Sequence, residues 1–226
     1  MTVPALLELD RVTKRLRDGA RAELVAVDQV SLAILPGECH RIVGASGAGK
    51  STLLSLAVGL VQPTEGEITF RGEVFSRARE SHRSEVRRRF MGSMLQQLGL
   101  IASMSVRENL LAAERMVRAP RRDELAAYTE LLQAFDLTPL LEARVQTLSG
   151  GERQRVAIVR ALVGSERALF VLDEPTAHLD DKHTETLIAL LSESMARGCS
   201  VIVATHDGRL SRLGTSRVLA QGRLDK

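Results

Sequence analysis

Gly44-Ala45-Ser46-Gly47-Ala48-Gly49-Lys50-Ser51 fits the pattern G-x-x-x-x-G-K-[ST]. Glycines at these spacings let the backbone fold tightly and aim successive N–H groups at phosphate oxygens. A helix opening near Lys50 adds its positive end. In that arrangement Lys50 reaches the β- and γ-phosphates of a nucleotide, Ser51 ligates Mg²⁺, and Thr52 extends the phosphate-binding set into the helix. A chance glycine-rich turn would lack the apolar strand on one side and the helical pattern on the other, and both are present here.

Asp173-Glu174 forms a second constellation, directly after the apolar run Ala168 to Leu172. A buried strand that ends in two carboxylates delivers them to the edge where α/β folds bind ligands. Asp173 suits a Mg²⁺ shell, largely through water. Glu174 suits activation or positioning of an attacking water. Taken alone, two acids after a strand describe a solvated strand end. Beside a phosphate loop they supply the metal shell and water-positioning group that ATP hydrolysis requires.

A third stretch, Leu148-Ser149-Gly150-Gly151-Glu152-Arg153-Gln154, opens a helix with Ser and two glycines. This is again anion-binding chemistry, although a plain N-cap is the ordinary reading of such a start. One γ-phosphate cannot use two separate loops of a compact monomer equally well.

The elements that must hold these residues alternate. Strands are expected at Ala5 to Val12, Leu24 to Leu35, Cys39 to Val43 and Ile68 to Phe70, with turns at Arg17-Asp18-Gly19-Ala20 and Pro36-Gly37. A helix is expected from Lys50 to Leu60, with Leu53, Leu54, Ala57 and Val58 on one face. From about 80 to 147 strand-like runs give way to helical patterns. Ser105-Val106-Arg107-Glu108 fits a capping box, and Asp123 to Phe135 is periodic before Thr138-Pro139 restarts the chain. Helix Glu152 to Val163, strand Ala168 to Leu172, helix Thr184 to Arg197, strand Ser200 to Ala204 and a short strand Arg217 to Ala220 follow. Strands alternating with helices imply parallel crossover units. The expectation is one α/β domain over residues 1–226, with a helical lobe of about 80–150 inserted in its core.

Composition narrows the partners. The chain has 226 residues, no Trp, one Tyr and five Phe, which argues against a platform that stacks nucleic-acid bases. The net charge of +3 is too mild to imply a nucleic-acid partner. Seven arginines lie between Arg71 and Arg89, but Glu73, Glu80 and Glu85 interleave with them as on a solvated surface. Cys39 and Cys199 form no metal-type spacing and read as reduced, buried thiols. The first twenty residues contain no secretory signal. The longest purely apolar runs, Ala168 to Leu172 among them, are far short of the roughly 20 residues that cross a bilayer.

The order phosphate loop, Leu148-Ser-Gly-Gly-Glu152, apolar strand with Asp173-Glu174 resembles the ATPase subunit of ABC transporters along essentially the whole chain. The resemblance implies a P-loop NTPase core with an N-terminal antiparallel β subdomain and the inserted helical lobe. It implies a head-to-tail homodimer with two ATP molecules between the chains. Ser149, Gly150, Gly151 and Glu152 of one chain would then face the ATP held by Lys50 of the other, so the two anion sites serve different nucleotides. Gln96 matches the Q-loop glutamine that touches Mg²⁺ or the water. Gln97 is the neighbouring candidate, but the spacing to Leu100-Ile101 favours Gln96. Ala177-His178-Leu179-Asp180 matches the D-loop, a dimer contact. His206 matches the switch histidine that hydrogen-bonds the γ-phosphate, a role a lone His at a strand end would not otherwise suggest. Leu16 stands where family members place an adenine-stacking aromatic, and an aliphatic side chain there implies weaker nucleotide affinity.

The resemblance further implies a membrane permease partner, docked near residues 90 to 115, and a place at the cytoplasmic face of the membrane. The extended turn Arg17 to Glu23 and Gly151-Glu-Arg-Gln-Arg-Val-Ala-Ile158 are similar to the branch of macrolide-export, lipoprotein-release and heme-export ATPases, which implies export or extrusion. DNA-repair members carry long coiled-coil or zinc-bearing insertions, and ribosome-associated members carry two ATPase domains. This chain has neither. A mechanical or signalling engine, such as one for cell-wall remodelling, would use the same residues and stays open.

Overall fold

The computed structural model describes residues 4–16, 23–96, 98–115, 128–164 and 166–225. The expected turn at Arg17 to Ala20, Gln97 and the first part of the expected helix Asp123 to Phe135 lie outside them.

Two sheets enclose a short helix. The first is antiparallel, in the order β2 (Leu24–Ile34), β1 (Leu7–Leu16), β4 (Glu65–Phe70), β5 (Glu73–Val74). Its inner face shows how a strand keeps its apolar side inward through an irregularity. Leu7 and Leu9 are buried two apart, but the next buried residue is Val12, three on. Arg11 sits at φ 45°, and the pairing register shifts between Leu9 and Val12. The bulge absorbs one residue, so Val12 returns to the core face. Gln29, at φ 49°, accompanies the same change between Val27 and Val30 on the facing strand.

The second sheet has the order β10 (Arg223–Leu224), β9 (Thr215–Ala220), β3 (Cys39–Val43), β8 (Ser200–Ala204), β7 (Leu169–Asp173), β6 (Met91–Met94). Neighbours from β9 to β6 run parallel, and β10 folds back antiparallel on β9. β7 and β8 are buried along their whole length, as parallel strands covered on both faces must be. Their side chains divide by the period of two. Leu169, Val171, Ile202 and Ala204 face α1 (Lys50–Ala57) and the antiparallel sheet. Phe170, Leu172, Val201 and Val203 face α5 (Gly150–Leu162) and α6 (Asp181–Ala196).

The expectation that strands vanish from about 80 to 147 is corrected by β6. Its four residues, Met91-Gly-Ser-Met94, pair with β7, and α2 (Glu80–Phe90) leads into it. The run is too short and too mixed to show a strand pattern. Gly92 is required there because a Cβ would lie 2.1 Å from the carbonyl of Ala161 on α5. The helical segment then holds α3 (Val106–Arg115) and α4 (Thr129–Ala134), and its buried Val106, Leu110, Tyr128, Leu132 and Phe135 share a core with α5. The Ser105–Glu108 capping box forms: Glu108 N donates to Ser105 Oγ at 3.1 Å, and Ser105 N donates to the Glu108 carboxylate at 2.8 Å. Both cysteines are buried and free, and burial pushes the Cys39 thiol to about 12 and that of Cys199 to about 11.

Candidate active site

Four adjacent parallel strands end along one edge, and each delivers part of the site. β3 runs into Gly44 and the phosphate loop, β8 into Thr205-His206, β7 into Asp173-Glu174, and β6 into Leu95-Gln96. Ligands bind at the carboxyl ends of strands in such sheets because loops can converge there without breaking the ladder.

The loop leaves α1 ready for an anion. Gly49 caps the helix at φ 99° with no side chain bonded to the first turn, so its N–H groups face outward. Only glycine fits: a Cβ at Gly49 would lie 2.0 Å from the carbonyl of Ala26. Lys50 Nζ lies 2.6 Å from Gly44 O, 3.0 Å from Ala45 O and 3.5 Å from His206 Nε2. A cavity of about 760 Å³ is lined by Ser46, Gly47, Gly49, Lys50, Ser51 and Thr52 of the loop and helix start. Gln96, Asp173, Glu174 and His206 also line it, as do Leu16, Leu24, Val25 and Ala26, the last with its carbonyl against Gly49. Gly44, Ala45 and Ala48 shape the loop from behind and do not line the cavity.

Glu174 is held in a left-handed conformation, φ 45°, rare for a non-glycine residue. Its N–H donates to Ala204 O at 2.8 Å, which ties the end of β7 to the end of β8. Its carboxylate lies 3.6 Å from His206 Nε2 and accepts from His206 N at 3.4 Å. Asp173 is 7% exposed, and its Oδ2 has no hydrogen-bond partner. An orphaned buried carboxylate oxygen facing a phosphate site fits the outer shell of Mg²⁺, with the Ser51 hydroxyl and the Gln96 amide as the other oxygen donors. Among the described residues no three or more His, Cys, Asp or Glu side chains gather into a metal cage.

Gln154 is the residue whose contacts sequence reasoning missed. It is buried on α5 and donates through Nε2 to Glu174 O at 2.9 Å and Pro175 O at 3.0 Å. The legible signal was a polar side chain at an apolar helical position, in line with Ile158 and Ala161. Leu24, Val25, Ala26, Gln221 and Gly222 also line the cavity without having been singled out.

Ser149–Glu152 are not brought into this cavity. Ser149 caps α5 in a complete capping box. Ser149 N and Oγ both donate to Glu152 Oε2 at 2.7 Å, and Glu152 N donates to Ser149 Oγ at 3.3 Å. The bonds from the Ser149 side chain and backbone hold the Glu152 carboxyl below its ordinary value.

A family model described as ABC transporter matches residues 27–177. Among solved structures, the ATP-binding cassette MJ0796, in a dimeric post-hydrolysis state bound to ADP and Pi, superposes with a TM-score of 0.89. The two share 31% identity over 97% of each chain. The ATP-binding subunit of an ABC transporter superposes with a TM-score of 0.83 at 25% identity, over 98% of this chain and 88% of the other. A nucleotide-free ATP-binding cassette shares the fold, with a TM-score of 0.77 at 21% identity over 98% of this chain and 90% of that one. With a phosphate loop and the carboxylates of Asp173 and Glu174 on one sheet edge, the chain belongs to the ABC transporter family as an ATP-hydrolysing ATP-binding cassette.

Proposed function

We propose that two copies of this chain close head-to-tail around two ATP molecules and so drive a separate membrane permease, in export or extrusion. The observation that carries this reading is the separation of two anion-type sites. Ser149–Glu152 cap α5 outside the cavity that holds Lys50. A second chain supplies what each cavity lacks, and dimeric cassettes occur among the similar structures.

Within each site the roles follow from position. The loop amides, Lys50 and Thr52 hold the phosphates. Ser51, Gln96 and Asp173 would hold Mg²⁺, which supplies charge neutralisation of the phosphates when bound. Glu174 orients the attacking water and accepts its proton, while His206, 3.6 Å from the carboxylate, hydrogen-bonds the γ-phosphate. Leu16 and Leu24 offer the base an aliphatic surface. The helical lobe, at about 80–150, carries the motion outward through Gln96. Among the described residues no helix is long and apolar enough to cross a membrane, in keeping with a peripheral subunit at the cytoplasmic face. The branch that exports macrolides, lipoproteins or heme is the one the turn before β2 and the start of α5 favour.

Glu174→Gln tests this. The variant should bind ATP, turn over at least about a hundredfold more slowly, and shift from monomer to dimer on ATP addition in light scattering. Wild-type turnover, or no ATP-driven dimer, would overturn the assignment. Co-purification from membranes with mass spectrometry should return a permease.

A further inference from the structure

After leaving β7 the chain returns to α5 three times within ten residues. Gln154 holds the carbonyls of Glu174 and Pro175. The carbonyl of His178 packs so close to Gly151 that a Cβ there would be 2.8 Å from it. The third contact is His183, in the first turn of α6, 5% exposed although it is a histidine on a helix with an open face.

Every edge of the His183 ring is used. Nδ1 lies 2.8 Å from Asp180 Oδ1, which also accepts the His183 backbone N–H at 2.8 Å as the N-cap of α6. These bonds, the backbone one foremost, lower the Asp180 carboxyl from its ordinary value. Nε2 lies 3.2 Å from Arg155 Nη1 of α5, and Arg155 Nη1 donates to Phe135 O at 3.0 Å. The ring face stacks on Phe135, centroids 6.0 Å apart and planes 14° from parallel. Asp136, in the left-handed region at φ 52°, lies 3.3 Å from Nε2 and is tied to Lys182 at 2.6 Å.

The ring thus joins three pieces. They are the segment 177–180 that follows the carboxylates, the corner 135–136 that ends α4, and the helix that begins at Ser149. We infer that His183 is a positioning residue for hydrolysis, holding these pieces in one arrangement so that engagement of Ser149 is felt at Glu174. The inference rests on the dimer reading, in which Ser149 meets the partner's nucleotide. Neither the phosphate loop nor Lys50 touches this junction, so ATP binding by a single chain should not depend on it.

His183→Phe keeps a ring on Phe135 and removes both nitrogens. His183→Gln returns one amide that can donate or accept. In steady-state ATPase assays His183→Phe should lower kcat at saturating ATP about tenfold, equivalent to about 1.4 kcal/mol, and His183→Gln should recover part of the loss. Calorimetric ATP affinity, measured in the Glu174→Gln background, should stay within about twofold. Wild-type kcat in His183→Phe, no recovery in His183→Gln, or a loss of kcat matched by weaker ATP binding would each overturn the role. Wild-type turnover in His183→Phe beside an intact Glu174→Gln dimer removes only His183. Loss of that dimer removes the reading of Ser149 and this coupling with it.

Discussion

Gln154→Leu is the perturbation that best isolates how the carboxylate proposed for catalysis, Glu174, is aimed. Leucine fills similar space on α5 but removes the two donors that reach Glu174 O at 2.9 Å and Pro175 O at 3.0 Å. Those bonds bear on a residue that does not favour its own conformation, since Glu174 sits at φ 45°. A left-handed non-glycine residue costs on the order of 1–3 kcal/mol and persists only where its surroundings over-determine it. The remaining restraints are the bonds from Glu174 N to Ala204 O at 2.8 Å, from Ala177 N to Glu174 O at 3.2 Å and from His206 N to the carboxylate at 3.4 Å, with the proline that follows. At about 1 kcal/mol net for each lost bond, the loosened loop forfeits about 2 kcal/mol of positioning. If that loss falls on the aim of the carboxylate, kcat drops about thirtyfold. The assay is ATP turnover at saturating ATP, with ATP affinity and thermal midpoint measured in parallel. Gln154 lines the same cavity, but its side chain bonds to the carbonyls after β7 while Lys50 bonds to Gly44 and Ala45, so affinity should be unchanged. A kcat within about twofold of wild type, or a fall in affinity that accounts for the whole loss, refutes the reasoning.

Two further outcomes follow from the same geometry. Leu16→Tyr places a ring at the end of the cavity where Leu16 and Leu24 now present aliphatic surface, and should tighten ATP binding about fivefold in calorimetry; unchanged or weaker binding would show that Leu16 does not meet the base. The Arg209 guanidinium, bonded to both carboxylate oxygens of Asp207, holds that carboxyl down to about 2 from its ordinary 3.8. Because the folded value is the lower one, the pair's contribution is complete above about pH 4 and is lost as pH falls toward 2. In denaturant melts the stability gap between wild type and Asp207→Asn should therefore be flat near neutrality and close over that window; a gap independent of pH would sink the assignment.

Much of this arrangement was legible because chemistry and local pattern coincide. Gly44 to Ser51 must be a tight turn into a helix, and Ala168 to Leu172 must be buried, so Lys50 and Asp173 could be placed on one edge before any coordinates. Cys39–Val43 and Ser200–Ala204 were read with the observed bounds because apolar runs bounded by turn signals admit few registers. β6 was not legible: Met91-Gly-Ser-Met94 is a strand only because β7 offers an unpaired edge and α5 leaves room for nothing larger than Gly92. β1 was expected to end at Val12 but continues to Leu16, because the bulge at Arg11 disguises the alternation. Gln154 and His183 illustrate a second limit. Glu174 lies 20 residues from Gln154 and Arg155 lies 28 from His183, and no periodicity announces a bond between such distant segments.

Glu152 adds a constraint on the proposed closure. Its carboxylate occupies both the Ser149 N–H and the Ser149 hydroxyl, the donors that a phosphate approaching the start of α5 would seek. An anion at a helix N-terminus is favourable, so the isolated chain keeps that terminus satisfied and discourages a second negative group there. For a partner's γ-phosphate to engage Ser149, the hydroxyl must turn away from Glu152, and two negative charges must approach one another. Cations near the phosphate, Lys50 of the other chain among them, are what make that approach favourable. In the proposed dimer, closure therefore depends on the cations that hold the nucleotide opposite as well as on the nucleotide itself. On the proposed reading, the capping box that stabilises α5 in one chain must rearrange when the partner's nucleotide engages Ser149.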